Sequence, residues 1–158
     1  MYKRQAFEPR PVGTQAEEFR KPSRKIKAEV PGYLWIDAED FAEYGGWVLD
    51  TQFIHLMGSA YLFAAGMGKP VEDAGVTVTI PEPGLYRLWV RAKDWLPEYS
   101  PGRFQVFVNG SPSEKVFGQA DDSEWAWQSA GDFQLDVGES RIVLHDLTGY
   151  YGRCDALI

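Results

Sequence analysis

Val76-Thr77-Val78-Thr79-Ile80, then Pro81-Glu82-Pro83-Gly84, then Leu85-Tyr86-Arg87-Leu88-Trp89-Val90-Arg91-Ala92 is the stretch on which the fold turns. In the first run Val76, Val78 and Ile80 alternate with threonine. In the second, Tyr86, Leu88, Val90 and Ala92 alternate with Arg87, Trp89 and Arg91. A period of two sends successive side chains to opposite faces of an extended chain, so each run reads as a strand with one buried face. The segment between them is a turn signal, because proline presets φ and glycine tolerates conformations closed to other residues.

The same pattern recurs outward. Runs at 34–38, 47–50, 61–65, 103–109, 114–117, 125–129, 133–137, 141–146 and 153–158 also read as strands, with Phe104, Val106 and Val108 as another inward set. Asn109-Gly110 is the strongest hairpin signal, since both residues accept positive φ, and Val137-Gly138-Glu139 is a second turn. Ten or eleven short strands without a long helix predict an all-β chain, an antiparallel β-sandwich of the jelly-roll kind. The competing immunoglobulin-like sandwich has fewer strands and a Cys…Trp…Cys spacing that is missing here. No repeat supports a propeller or solenoid. Residues 1–30 show no sustained period and carry a basic patch around Arg24-Lys25-Ile26-Lys27. They read as a poorly structured arm or linker, with room for a short amphipathic helix at 16–20, ahead of a module over residues 31–158.

A chain of 158 residues builds one core. Six tryptophans, eight tyrosines and nine phenylalanines exceed what that core needs, so some rings face a ligand or partner. Charge is uneven: residues 1–30 hold eight Lys/Arg against four Glu, and residues 31–158 hold eight against nineteen Asp/Glu. So acidic a body repels phosphate backbones and argues against nucleic-acid binding, while suiting a hard cation such as calcium. The single cysteine, Cys154, excludes an intrachain disulfide, and no apolar run has the length of a membrane span. The N-terminus lacks the apolar core of a secretory signal. However, Met1-Tyr2-Lys3-Arg4-Gln5 reads like translated adapter sequence and the chain stops at Ala156-Leu157-Ile158 inside a hydrophobic strand, so truncation at either end is left open.

Three strand ends carry charged hydrogen-bonding groups beside flat rings. These are Arg91-Ala92-Lys93-Asp94-Trp95, Trp125-Ala126-Trp127-Gln128, and the run from His145-Asp146 through Tyr150-Tyr151 to Arg153. The mixture suits a polyhydroxylated ligand, which offers apolar C–H faces to indoles and hydroxyls to Asp, Arg, His or Gln. Arg91, Asp94, Trp95, Tyr99, Trp125, Trp127, His145, Asp146 and Arg153 are therefore the candidate carbohydrate-binding residues. Each has a structural alternative. Trp125 and Trp127 share one strand face and would also serve as core caps, the reading preferred for Trp127, and Asp146 at a strand end is placed to accept backbone N–H bonds from 147–149. Trp35, Trp47 and Trp89 read as packing or sheet-face residues. The arginines also suit a uronate carboxylate, which a planar guanidinium binds in bidentate fashion.

Catalytic readings are weak. Cys154 shares the apparent inward parity of Ala156 and Ile158, which argues against a dyad with His145. His55 and His145 have no zinc spacing, and Gly66-Met67-Gly68-Lys69 lacks the frame of a phosphate loop. No catalytic residue is assigned.

Ile36-Asp37-Ala38-Glu39-Asp40-Phe41, followed by Gly45-Gly46 and closed by Cys154-Asp155-Ala156-Leu157-Ile158, resembles family 6 and family 35 carbohydrate-binding modules. The resemblance implies a calcium ion stapling the chain ends through Asp37, Glu39 and Asp155, with Asp37 standing where those families have Glu. The alternative is an acidic strand face with Asp155 paired to Arg153 or Arg91. Over roughly residues 33–158, Leu88-Trp89-Val90-Arg91, Asp94-Trp95, Pro101-Gly102-Arg103-Phe104, Trp125-Ala126-Trp127-Gln128 and the 145–156 run are similar to a sandwich domain attached to bacterial FAD-dependent oxidoreductases. Domains of this kind also accompany xanthan lyase-like and golvesin-like proteins. That implies an accessory module with no FAD in this chain, a polysaccharide or oligosaccharide ligand, a covalently linked catalytic domain, and a periplasmic or extracellular setting. The sequence thus predicts a non-catalytic carbohydrate-binding module. A structural or interaction domain packing on a missing catalytic domain is the first alternative, and a small polysaccharide lyase or hydrolase the second.

Overall fold

The computed structural model describes residues 32–120 and 124–158; the expected arm over 1–30, with its candidate helix, lies outside the described residues. Ten strands follow in order: β1 (Ile36–Asp37), β2 (Trp47–Asp50), β3 (Tyr61–Ala64), β4 (Ala74–Ile80), β5 (Gly84–Lys93), β6 (Phe104–Val108), β7 (Ser111–Phe117), β8 (Trp125–Leu135), β9 (Gly138–Asp146) and β10 (Arg153–Leu157). One helical turn, α1 (Ile54–Met57), joins β2 to β3 and ends on Gly58 in the left-handed conformation. No helix among the described residues is long and apolar enough to cross a membrane.

The strands form two antiparallel sheets. The larger runs β2-β3-β10-β5-β8, with β1 also on β10, and the smaller runs β4-β9-β6-β7. The predicted β-sandwich is therefore correct. Both sheets turn their apolar alternates inward: Val76, Val78, Ile80, Phe104, Val106, Ile142 and Leu144 meet Leu62, Leu88, Val90, Ala92, Cys154 and Leu157, all nearly inaccessible. Each fully buried large side chain contributes on the order of 1.5–3 kcal/mol, which is why the alternation dictates the sheets. Trp47 is also interior, edge-on to Phe104 at 5.5 Å.

Two turns have different jobs from the third. Asn109-Gly110 closes a two-residue hairpin, with φ of 50° and 82° and Val108 paired to Ser111. The 81–83 and 136–137 segments instead carry the chain from one sheet to the other. The runs at 125–129 and 133–137, expected as two strands, are one: β8 pairs with β5 from Trp125 to Leu135. Ala130 is the extra residue of a bulge there, and Gly131, at φ 102°, absorbs the irregularity without a turn.

A second bulge corrects the parity of the last strand. Cys154 pairs with Ala92, but Ala156 pairs with Arg91 and Leu157 with Val90. Asp155 is the extra residue, so Cys154 and Leu157 face the core while Ala156 faces outward with Arg91. Cys154 is fully buried, and burial pushes its thiol well above the usual range, with Asp155 adding to the effect.

Candidate functional site

The outer face of the larger sheet carries two aligned rows. Cross-strand pairing places Val48, Phe63, Arg153, Lys93 and Trp125 side by side across β2, β3, β10, β5 and β8. One step along the strands, Asp37, Ala156, Arg91 and Trp127 form the second row. Strand alternation alone sends all of these away from the core.

Rings gather around the first row. Phe63 stacks on Tyr151, centroids 5.0 Å apart and 6° from parallel, and Trp95 meets Tyr151 edge-on at 5.5 Å. Arg153 lies over both Phe63 and Trp95, at 5.0 and 5.4 Å from their centroids. At the other end Trp125 packs edge-on against Tyr61 and Phe53. Phe53 comes from the segment around α1, which folds over this part of the sheet, and Lys93 Nζ sits 5.2 Å from its ring. Tyr61 is inaccessible and donates its hydroxyl to Asp50; burial first, and Asp50 second, hold that phenol far above its ordinary pKa.

The structure brings Arg91, Trp95, Trp125, Trp127 and Arg153 of the expected set to this face. Trp127 is not a core cap. It is exposed and meets Trp35 edge-on at 5.5 Å, while Trp35 Nε1 donates to Asp37. Trp89 is likewise exposed on the same face. Tyr99 is 69% exposed in the loop after β5.

Asp94, Asp146 and His145 take other positions. Asp94, 1% exposed, accepts from Leu96 N, Ser100 Oγ and Ala120 N and so shapes the loop that carries Trp95. Asp146, also 1% exposed, accepts from Val71 N, Thr148 N and Gly149 N. Asp146 is spent on backbone donors and Asp94 on two backbone N–H groups and a hydroxyl, so both scaffold the loops rather than face solvent. His145 points outward from the smaller sheet, 2.8 Å from Asp73 and edge-on to Phe107, away from the tryptophans. The sequence reading missed Phe63 and Phe53, and named Lys93 and Tyr151 within the strand-end runs without counting them among the binding residues. Phe63 and Lys93 follow from strand parity once the strand order is known, but the order itself is not in the alternation.

The expected cation corner lies where β1 and β3 meet the same edge of β10. Glu39 Oε2 accepts from Ala60 N, and Asp155 accepts from the neighbouring Ser59 Oγ and, at 2.9 Å, from Arg91 Nη1. Burial raises the Asp155 pKa, Arg91 and Ser59 oppose the rise, and Asp37 adds to it. The donors are hard oxygens, as calcium requires. Their arrangement is not a cage: no group of three or more His, Cys, Asp or Glu among the described residues is set to hold a metal, and Arg91 supplies the counter-charge.

No family model and no curated protein matches the chain. Solved structures do. A family 35 carbohydrate-binding module from Clostridium thermocellum superposes with a TM-score of 0.61 at 21% identity, over 78% of this chain and 96% of that one. The fold is shared with carbohydrate-binding modules. The C-terminal family 6 module of a marine laminarinase from Zobellia galactanivorans gives a TM-score of 0.59 at 15% identity, over 78% of this chain and 95% of that one. A β-(1,4)-mannanase from Podospora anserina, which joins a family 35 module to a glycoside hydrolase, gives 0.61 at 25% identity over 78% of this chain. This chain spans 26% of that enzyme's length.

Proposed function

We propose that this chain is a non-catalytic carbohydrate-binding module that holds a polysaccharide against the rings at the Trp95 end of the larger sheet. The observation that carries the reading is the grouping of Trp95, Tyr151, Phe63 and Arg153, drawn from three sequence-distant segments, with Tyr99 exposed in the loop that follows Trp95. Rings there offer stacking faces and the arginine offers directional donors, the two features a pyranose needs. A shallow site of this kind binds in the millimolar to micromolar range, roughly, because one or two exposed sugars repay little ordering cost. Attachment to a catalytic domain belongs to the same proposal. The mannanase offers one architecture for it, and the sequence resemblance to FAD-dependent oxidoreductase-linked domains offers another.

Calcium at Asp37, Glu39 and Asp155 is the finer proposal for the cation corner. It is supported by the convergence of Glu39 and Asp155 on Ser59-Ala60, and it requires Asp155 to exchange Arg91 for the ion.

Affinity electrophoresis through galactomannan, xylan, laminarin and polygalacturonate tests the main reading. At least one polymer should retard the native chain, and Trp95→Ala should abolish the retardation. Equal mobility in every gel refutes the glycan site, and release of product by the isolated chain refutes the non-catalytic assignment. A second reading is favoured by one observation: the opposite end of the sandwich has an apolar trough of about 850 Å³ lined by Val78, Ile80, Leu88, Phe133 and Leu135. Leu85 and Val137, 68% and 66% exposed, add apolar surface at that end. A partner domain seated there would make this chain an interaction module.

A further inference from the structure

We propose that β4 is a dimerisation edge, along which two copies of this chain pair antiparallel about a two-fold axis at Val78. β4 ends the smaller sheet, with β9 along one side of it. On its other side Gly75 N donates to Glu43 O at 2.7 Å, and Gly75 O accepts from Glu43 N at 3.1 Å. Backbone groups alternate sides along a strand, so the N–H and C=O of Thr77 and Thr79 face the same way as those of Gly75. Among the described residues they have no backbone partner. The open window is Val76–Ile80, bounded at one end by Glu43 and at the other by Pro81, which has no N–H to give.

Other edges are guarded, and this one is not. β7 carries Pro112, Glu114 and Lys115 and a register shift against β6. β8 carries Asp132 and the bulge at Ala130. β1 and β2 have two and four residues, and β2 ends on Asp50. Prolines, charges, bulges and short lengths are how sheets prevent edge-to-edge pairing. Over Val76–Ile80, β4 has no charge, no proline and an unbroken register with β9. A second copy fits the window because Thr77-Val78-Thr79 reads the same in both directions. Two-fold pairing sets Thr77 against Thr79 of the second copy and Thr79 against its Thr77. Each threonine then donates one backbone bond across the axis, and two threonine pairs meet on the outer face. The paired strands alone bury less than the roughly 1,200 Å² of a stable complex. Tyr33, 48% exposed, lies on the trough with Val78 and Ile80 and adds apolar surface beside them. The association is therefore weak, with a Kd on the order of 10–100 μM. Each copy carries a formal net charge of -7, so added salt should strengthen it. The pairing stands without the carbohydrate reading; together they give two glycan sites per particle and avidity for a polymer.

Sedimentation equilibrium of the native chain, from about 1 μM to about 1 mM, tests the proposal by spanning the expected Kd. A monomer–dimer equilibrium should appear and shift toward dimer as salt is raised. Thr77→Glu/Thr79→Glu sets glutamates opposite each other across the axis and should weaken the dimer at least about tenfold. Thr77→Lys/Thr79→Lys should do the same by itself. An equimolar mixture of the two variants should recover the association, since lysine then faces glutamate. Melting curves show whether the variants fold. Where one does not, amide exchange in the native chain decides, because the Thr77 and Thr79 N–H groups should exchange faster on dilution below the Kd. Three results overturn the proposal: a monomer at millimolar concentration, a dimer indifferent to both double variants, or equal protection of the two amides in monomer and dimer. The last would mean that another segment of the chain covers the edge.

Discussion

Replacing Arg91 by Met should expose the electrostatic staple between β5 and β10, neighbouring strands of the larger sheet. Asp155 side-chain exposure is 4%, that of Arg91 is 27%, and they meet at 2.9 Å. Removing one partner of a fully buried pair costs about 3–5 kcal/mol, because the other charge is left without compensation. Arg91 is partly open to solvent, which screens the pair, so roughly 2–3 kcal/mol is expected. For a domain of this size that corresponds to a fall in Tm of about 10 °C. The pH dependence has a definite sign. Burial already raises the folded-state pKa of Asp155 above the ordinary value of an exposed carboxylate, despite Arg91. Its contribution to stability is therefore fully present below the unfolded value and is lost as pH rises through the folded one. Arg91→Met raises the folded value further, so the deficit at pH 7 should shrink at pH 5. Urea denaturation at both pH values, in EDTA, measures this. A variant within about 0.5 kcal/mol of the native chain at pH 7 would refute the reasoning, since a surface substitution costs no more than that. Millimolar calcium should then restore stability to Arg91→Met, and Asp155→Asn should abolish the rescue; no response to calcium in either chain refutes the ion.

Four further outcomes follow from local geometry. Gly118→Ala should destabilise by more than about 3 kcal/mol in chemical denaturation, since a Cβ there would lie 1.8 Å from Gly102 O and the residue sits at φ 80°. Gly110→Ala meets open space, so only the positive φ counts, and a loss of about 1 kcal/mol is expected by the same measurement. Asp94→Ala removes three hydrogen bonds that shape the Trp95 loop, and should weaken glycan retardation together with thermal stability, whereas Trp127→Ala should cost roughly 0.5–1.5 kcal/mol of stability through its lost contact with Trp35.

The strands themselves were legible because burial of one face imposes a period of two, and that period is local. Val76–Ile80 and the alternation before Ala92 could be read without any partner in view. The bulges at Ala130 and Asp155 were not legible, since an extra residue shows itself only against the strand opposite. That is why one strand was read as two and why Ala156 was placed on the wrong face. Asp94 and Asp146 look like ligand groups in sequence for the same reason that they cap loops in the fold: a carboxylate at a strand end accepts whatever donors arrive, and the donors come from Ala120 and Val71.

Sequence by itself determined the all-β class, the hairpin at Asn109-Gly110 and the common face shared by Trp125 and Trp127, because each depends on neighbours a few residues apart. Only the tertiary structure decided that Arg153 stands beside Lys93, that Arg91 takes Asp155, and that His145 leaves the tryptophan face for the other sheet. Those relations depend on which strands become neighbours. Strand order is set by the collective packing of two sheets around one core, to which no single segment holds the key.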